Sequence, residues 1–214
     1  MASRKPGTVN YVGTEIDSIW TIIAYHVWWP GQGNDPMYLA NQDMNRTRNN
    51  YYENNYTPHM FTNGKSSGSN TTNWKNDPKK YVNEIGLYDI SISGSQTGND
   101  INFSVKSSAV KNVEASANIR LFIAIVMGHV MYVDSPNGLQ DHQNAVIELV
   151  LGNTGKRIKY ISLVEYEETV SWSMPSEWVN HSKISWNSEN LKVVAWIQDY
   201  SSKTILQVAE FDFK

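Results

Sequence analysis

From Tyr88 onward, apolar residues recur at every second position, and this period constrains the fold more than any other feature. In YDISISG, Tyr88, Ile90 and Ile92 take one face while Asp89, Ser91 and Ser93 take the other. INFSVKS repeats the pattern through Ile101, Phe103 and Val105, with GNDI as the turn between them. A two-residue period belongs to half-buried antiparallel strands. Further strands are expected over residues 119–132, 145–151, 158–166, 191–199 and 204–213, separated by the turn signals SPNG, GNTG and YSSK. About seven short strands so spaced predict an antiparallel all-β sandwich over residues 86–214. Ile90, Phe103, Leu121, Ile147, Val194 and Trp196 are expected to share its core. The connection over residues 171–186, rich in tryptophan, is expected to fold over an open face.

Before residue 86 the pattern differs. Residues 19–27, IWTIIAYHV, are β-branched, aromatic and nearly continuous in apolar character, which predicts a strand buried on both faces. Asp35 and Pro36 then mark a helix start, a capping carboxylate followed by proline in the first turn. Residues 37–52 are expected to be one helix, with Met37, Ala40 and Met44 on its buried face and Arg46 and Arg48 near its far end. Thr57-Pro58 and Asn63-Gly64 bound a short hairpin, residues 65–76 read as loop, and residues 78–85 read as a short helix. The fold class is therefore α+β, cut near residue 85.

Composition narrows the functions. The chain of 214 residues has a formal net charge of -3 and no cysteine. Near-neutrality gives no electrostatic footprint for nucleic acid. The missing thiols exclude disulfides, thiolate metal sites and thiol catalysis by this chain alone. The first residues carry no apolar stretch of the kind an export signal needs. Gly-x-Ser-x-Gly, phosphate-loop and His-Glu-x-x-His motifs are absent, so no enzyme activity and no cofactor are expected.

In order and wording, the segments IIAYHVWWPG, DPMYLANQDMNRTRNNYY, YTPHMFTNG, HVMYVDSPNGLQDHQNAVIELVLGNTGKRI and LKVVAWIQDYSSKTILQVAEFDF resemble the outer membrane protein twenty-eight (Omp-twenty-eight) family. Its members are exported bacterial proteins that pair a thioredoxin-like region with a β-sandwich. The resemblance implies an incomplete thioredoxin-like unit over residues 1–85 that lacks the Cys-x-x-Cys segment. It also implies an extracellular, outer-membrane or cell-surface location after removal of an export signal. A missing first βα unit would leave a sheet edge open beside residues 22–27, where a protein partner or a second copy could add a strand. Membrane-surface association would then run through a segment outside this chain. Two alternatives are a thiol–disulfide protein with its redox segment elsewhere, and a carbohydrate-binding protein.

Candidate site residues follow from both readings. The resemblance makes Thr57-Pro58 a cis peptide that borders a peptide-binding site; the alternative is a turn-holding proline. His26, Asp35 and His59 are candidate metal ligands if they converge, since ligation needs three or four donors. His129, Asp141 and His142 form a second such set, and residues 134–141 offer several oxygen ligands around Gly138. Trp28 and Trp29, ahead of Pro30-Gly31, are candidates for stacking on a sugar ring, with core packing as the alternative. Glu165 and Glu167 share one face of a strand and read as solvated.

Overall fold

The computed structural model describes residues 2–4, 20–31, 33–114, 117–176 and 184–213. It is built mostly of antiparallel β-sheet. The central layer is a six-stranded sheet around β7 (Ile119–Tyr132), which pairs with β12 (Leu191–Asp199), and β12 with β13 (Ile205–Asp212). The same β7 also pairs with β8 (Asp141–Leu149), β9 (Lys156–Arg157) and β11 (Ile184–Trp186). A second sheet, in the order β10 (Tyr166–Ser173), β6 (Asp100–Ala109), β5 (Tyr88–Thr97), covers one face. The buried cluster between them joins Ile101, Phe103 and Val105 to Leu121, Ile123, Val193 and Ala195. This is the sandwich that the two-residue period predicts.

The central sheet is buried on its other face too. There Phe122, Ala124, Val126, Val194, Trp196 and Val208 meet Ile23 and Met44 of the N-terminal segment. The predicted single core is therefore corrected. Ile90, Phe103, Leu121 and Ile147 meet in the layer between the two sheets, but Val194 and Trp196 lie on the other face of the central sheet. The register explains this: Trp196 pairs with Phe122 and Ala195 with Ile123, so neighbours in sequence serve different layers. The unbroken apolar character of residues 121–127 is what a strand buried on both faces requires.

Preceding the sandwich is a small four-stranded sheet, in the order β2 (Trp20–Ile22), β1 (Ala2–Arg4), β3 (Met60–Thr62), β4 (Lys65–Gly68). Regular pairing in the expected 19–27 strand stops at Ile22; Ala24 then makes one parallel bridge to Ala145 of β8. β1 pairs with Trp20–Ile22 on one side and β8 bridges Ala24, while β2 stands at the end of its own sheet. The expected helix is two helices, α1 (Pro36–Ala40) and α2 (Gln42–Tyr51). Asn41 leaves the helical region at φ -152° and caps α2, its side chain accepting from the Met44 amide. The predicted loop over residues 65–76 holds β4 and α3 (Thr71–Asn76), which Asn70 caps. A 3-10 turn covers Pro78–Tyr81. Met44 and Met37 pack into different clusters of the sandwich, so the segment before residue 86 shares its core with the sheets.

Two further expectations shift. The strand predicted at 158–166 is instead a connection, because Leu163 adopts φ 59° and turns the chain; pairing resumes at Tyr166. The expected cover at 171–186 lies partly outside the described residues; within them Met174 and Trp186 are buried.

Gly64 closes the β3–β4 turn at φ 82°, and a Cβ there would sit 1.6 Å from the Lys203 carbonyl oxygen. Gly98 has φ 60° with nothing within 4 Å. Both replacements by alanine incur the left-handed backbone cost of about 1 kcal/mol. Gly64→Ala must in addition push the hairpin off the β12–β13 turn. Urea unfolding should show Gly64→Ala clearly more destabilised than Gly98→Ala; equal losses would mean the two turns do not pack.

Candidate functional site

The loop after Tyr25 carries the most chemistry. Its position is set where Ala24 meets β8: the Ala24 amide donates to the Asn144 carbonyl (2.8 Å), and the Val146 amide to the Ala24 carbonyl (2.9 Å). Asn144 holds φ 57°, and its side-chain oxygen accepts from Lys192 Nζ at 2.6 Å. Two residues beyond Ala24, His26 donates its backbone N–H to Oδ1 of the fully buried Asn45 (3.0 Å). Asn45 Nδ2 in turn donates to the Asn41 carbonyl (3.0 Å). One amide on α2 therefore ties the strand exit to the break between the helices.

Asp35 caps α1 with Oδ1, which accepts from the amides of Met37 (2.8 Å) and Tyr38 (3.3 Å). Its Oδ2 accepts from His26 Nδ1 at 2.9 Å. Burial acts to raise the Asp35 carboxyl, but the His26 hydrogen bond and charge, with the two amides, outweigh it and hold it below the usual carboxylate range. Beyond this pair lies His142 on β8, its ring 5.7 Å from that of His26. His142 Nε2 lies 3.2 Å from Ser135 Oγ, which donates to Asn137 Oδ1 at 2.8 Å.

These groups border a cleft of about 430 Å³ between residues 27–37 and the β7–β8 turn. Val27, Trp28, Trp29 and Met37 line one side; Tyr132, Ser135, Pro136, Asn137 and His142 line the other. Trp28 and Trp29 are half-buried and meet edge to face, centroids 6.4 Å apart. Arg46, on α2, lies 5.2 Å from the Trp28 ring and donates from Nε to Tyr38 Oη at 2.6 Å. The Trp28 face is thus braced from behind by a cation–π contact. Among the described residues the lining contains no lysine or arginine, and its one carboxylate, Asp35, already accepts three hydrogen bonds. The surface can stack on a flat apolar face and exchange hydrogen bonds with uncharged polar groups.

The candidate residues thus separate. His26 and Asp35 come together, as do Trp28 and Trp29, and both pairs belong to the cleft or its wall. His59 does not join them. Its Nδ1 lies 2.6 Å from Asn54 Oδ1, its Nε2 lies 2.7 Å from Ser66 Oγ, and its ring stacks between Tyr56 and Phe61. The expected convergence of His26, Asp35 and His59 on a metal is corrected: among the described residues no group of three or more histidines and carboxylates could hold one. His129 pairs with Asp141 (3.1 Å) while His142 turns to the cleft. Thr57 and Pro58 share a cis peptide, are exposed and do not line the cleft. Glu165 pairs with Lys106 across the strands at 2.9 Å, and Glu167 accepts from Ser104. Asn45 and Arg46 carry no site signal in the sequence, and Ser135 enters only within the oxygen-rich turn 134–141. The nearest thing to one is Asn45 directly after Met44, a polar residue beside the apolar face of a helix.

No protein-family model matches the chain, and no curated protein matches it. Among solved structures, a domain of the outer membrane lipoprotein Omp28 from Porphyromonas gingivalis aligns at 14% identity over 61% of this chain and 91% of that domain, with a TM-score of 0.40. Spo0M, a sporulation control protein from Bacillus subtilis, aligns at 13% identity over 59% of this chain and 47% of that one, with a TM-score of 0.32. The likeness is weak and concerns the β-rich fold alone.

Burial, with the charge of nearby His26, pushes His142 below its ordinary range. Below about pH 6.5 the unfolded chain takes up a proton at this position that the folded chain refuses. Its contribution to stability is therefore full above that pH and declines as pH falls through the folded-state pKa. His142→Gln should flatten the fall in thermal midpoint between pH 7 and pH 5; an unchanged slope would place the titration elsewhere.

Proposed function

We infer that this chain is a non-catalytic recognition module of a bacterial cell exterior, and that it takes its ligand in the cleft between residues 27–37 and the β7–β8 turn. The observation that carries this reading is the indole pair Trp28–Trp29. Both rings are half-buried at the mouth of a cleft and not sealed in a core, and Arg46 and Tyr38 hold Trp28 from behind. Aromatic residues placed this way supply contact area at low entropic cost. The exterior location rests on the wording shared with the Omp-twenty-eight family. The same wording makes the N-terminal strand, helix and hairpin the remnant of a thioredoxin-like unit, now serving to mount the cleft.

A carbohydrate is the ligand class that the cleft chemistry favours. The apolar face of a pyranose ring suits an indole, and its hydroxyls suit Asn34, Asn137 and Ser135. The absence of basic side chains among the described lining residues disfavours phosphate or nucleic acid. A redox role would need cysteines outside these 214 residues, and no feature of the cleft calls for one.

Titration of tryptophan fluorescence with a panel of neutral oligosaccharides should give a saturable shift for at least one. Trp28→Ala and Trp29→Ala should each weaken that binding about tenfold or more, and Arg46→Ala by less. A flat response across the panel would overturn the carbohydrate assignment. Ligand or protein binding that survives both tryptophan replacements unchanged would overturn the cleft as the recognition site.

A further inference from the structure

We propose that the end of the sandwich opposite the cleft is a docking surface for an anionic lipid bilayer. Among the described residues eleven large apolar side chains are exposed, and six of them lie in three short segments: Ile85, Leu87, Val110, Ile161, Leu163 and Val164. Hydrogen bonds hold these segments side by side. The Val110 amide donates to the Leu87 carbonyl (3.1 Å) and the Leu163 amide to the Ala109 carbonyl (2.9 Å). Ser162 donates from Oγ to the Val110 carbonyl (3.0 Å) and from its amide to Asn112 Oδ1 (2.8 Å). The cluster sits at the end of the sheets where Ile158 bonds to Ile119, whereas the cleft lies beyond Tyr132 at the other end of β7.

The shape of the patch indicates its occupant. Ile85 is 88% and Leu163 is 80% exposed, values a side chain in a groove or on a flat face cannot reach. They are prongs. Leu163 is presented by a turn in which it adopts φ 59°, a conformation that non-glycine residues take at a cost in backbone energy. A protein partner would need a matching pocket for each prong, while the acyl–headgroup boundary of a bilayer accepts apolar prongs without one. The charges agree. Within residues 85–87, 109–112 and 158–164 the only charged side chains are Lys111 and Lys159, both exposed. Burial alternates along Ile158, Lys159, Tyr160 and Ile161, which sets Lys159 on the same side as Ile161. Of the flanking carboxylates, Glu165 is held by Lys106 and Glu84 has an interaction of its own, while Asp89 and Glu114 are exposed just outside the segments. Lysines beside apolar prongs suit a surface of anionic headgroups. This surface is independent of the cleft and would leave the cleft facing away from the membrane.

The test is cosedimentation of the full chain with vesicles of three parts phosphatidylethanolamine to one part phosphatidylglycerol, against vesicles of phosphatidylcholine alone. The wild type should bind the anionic vesicles more tightly. Ile161→Ser with Leu163→Ser should lower partitioning about tenfold or more, because two apolar side chains lose their burial. Lys111→Gln with Lys159→Gln should lower it several-fold and weaken its salt dependence. Both variants alter exposed side chains, and an unchanged near-ultraviolet circular dichroism spectrum would show them folded. The proposal is overturned if the wild type binds neither vesicle, or if the serine variant binds within twofold of it. It is equally overturned if the prongs prove to hold two copies of the chain together, seen as a dimer in sedimentation that the serine variant abolishes while vesicle binding is absent.

Discussion

A charged guanidinium buried among aromatic rings holds the N-terminal segment to the sandwich. Arg48 is fully buried on α2. Its guanidinium carbon lies 4.6 Å from the Phe122 ring centre, 4.7 Å from Tyr51, 5.1 Å from Tyr52, 5.8 Å from Tyr25 and 6.0 Å from Trp196. Among the described residues it has no ion pair with a carboxylate; Nη2 donates to Tyr52 Oη (3.3 Å) and Gln198 Oε1 (3.4 Å). Taking such a charge out of water costs several kcal/mol, and a desolvated cation–π contact returns about 2 kcal/mol. Several rings at once are what make the position tenable. Burial works against the Arg48 charge and the surrounding tyrosines counter it, so the group remains a cation. The same environment pushes the Tyr25 phenol up to about 12, chiefly through burial.

That contact sets the geometry of the cleft. The cage draws rings from β7, from β12, from α2 and from the strand that leads to His26, so closing it fixes α2 against the second face of the central sheet. Tyr51 adds a stack on Tyr200 at 4.3 Å, and Gln198 Nε2 donates to Tyr52 Oη at 3.1 Å. With α2 placed, Asn45 can hold His26, and Arg46 can back Trp28 from the outer side of the same helix. Arg46 and Arg48, two positions apart, thus act in opposite directions. One supports the ligand face and the other anchors the helix that carries it.

Signals that act through neighbouring residues could be read from the chain alone. Asp35-Pro36 does start a helix, Asn63-Gly64 does close a hairpin, and the alternation from Tyr88 does become paired strands. What failed depended on partners distant in sequence. Val194 and Trp196 look like core positions and are, but the second layer they serve comes from residues more than a hundred positions earlier. Arg48 reads as a cation suited to the exposed end of an Asn-rich helix, because its cage exists only after β7 and β12 have paired. His59 shares its residue type with His26, yet Tyr56, Asn54 and Ser66 hold it locally, so the supposed metal set never meets. The turn at Leu163 had no glycine or asparagine to announce it, and the strand expected there was displaced to Tyr166.

Native-state hydrogen exchange on Arg48→Ala, compared with the wild type, tests the central claim most directly. Removing the guanidinium leaves a cavity among the rings where α2 meets the sheet. The amides of Ala24, His26 and Val146, which record the docking of the N-terminal segment, should lose protection about a hundredfold or more. Amides of β5 and β6, on the far side of the central sheet, should keep theirs. Undiminished protection at Ala24 and His26, or an equal loss across both sheets, would contradict the view that this buried cation mounts the segment and with it the cleft.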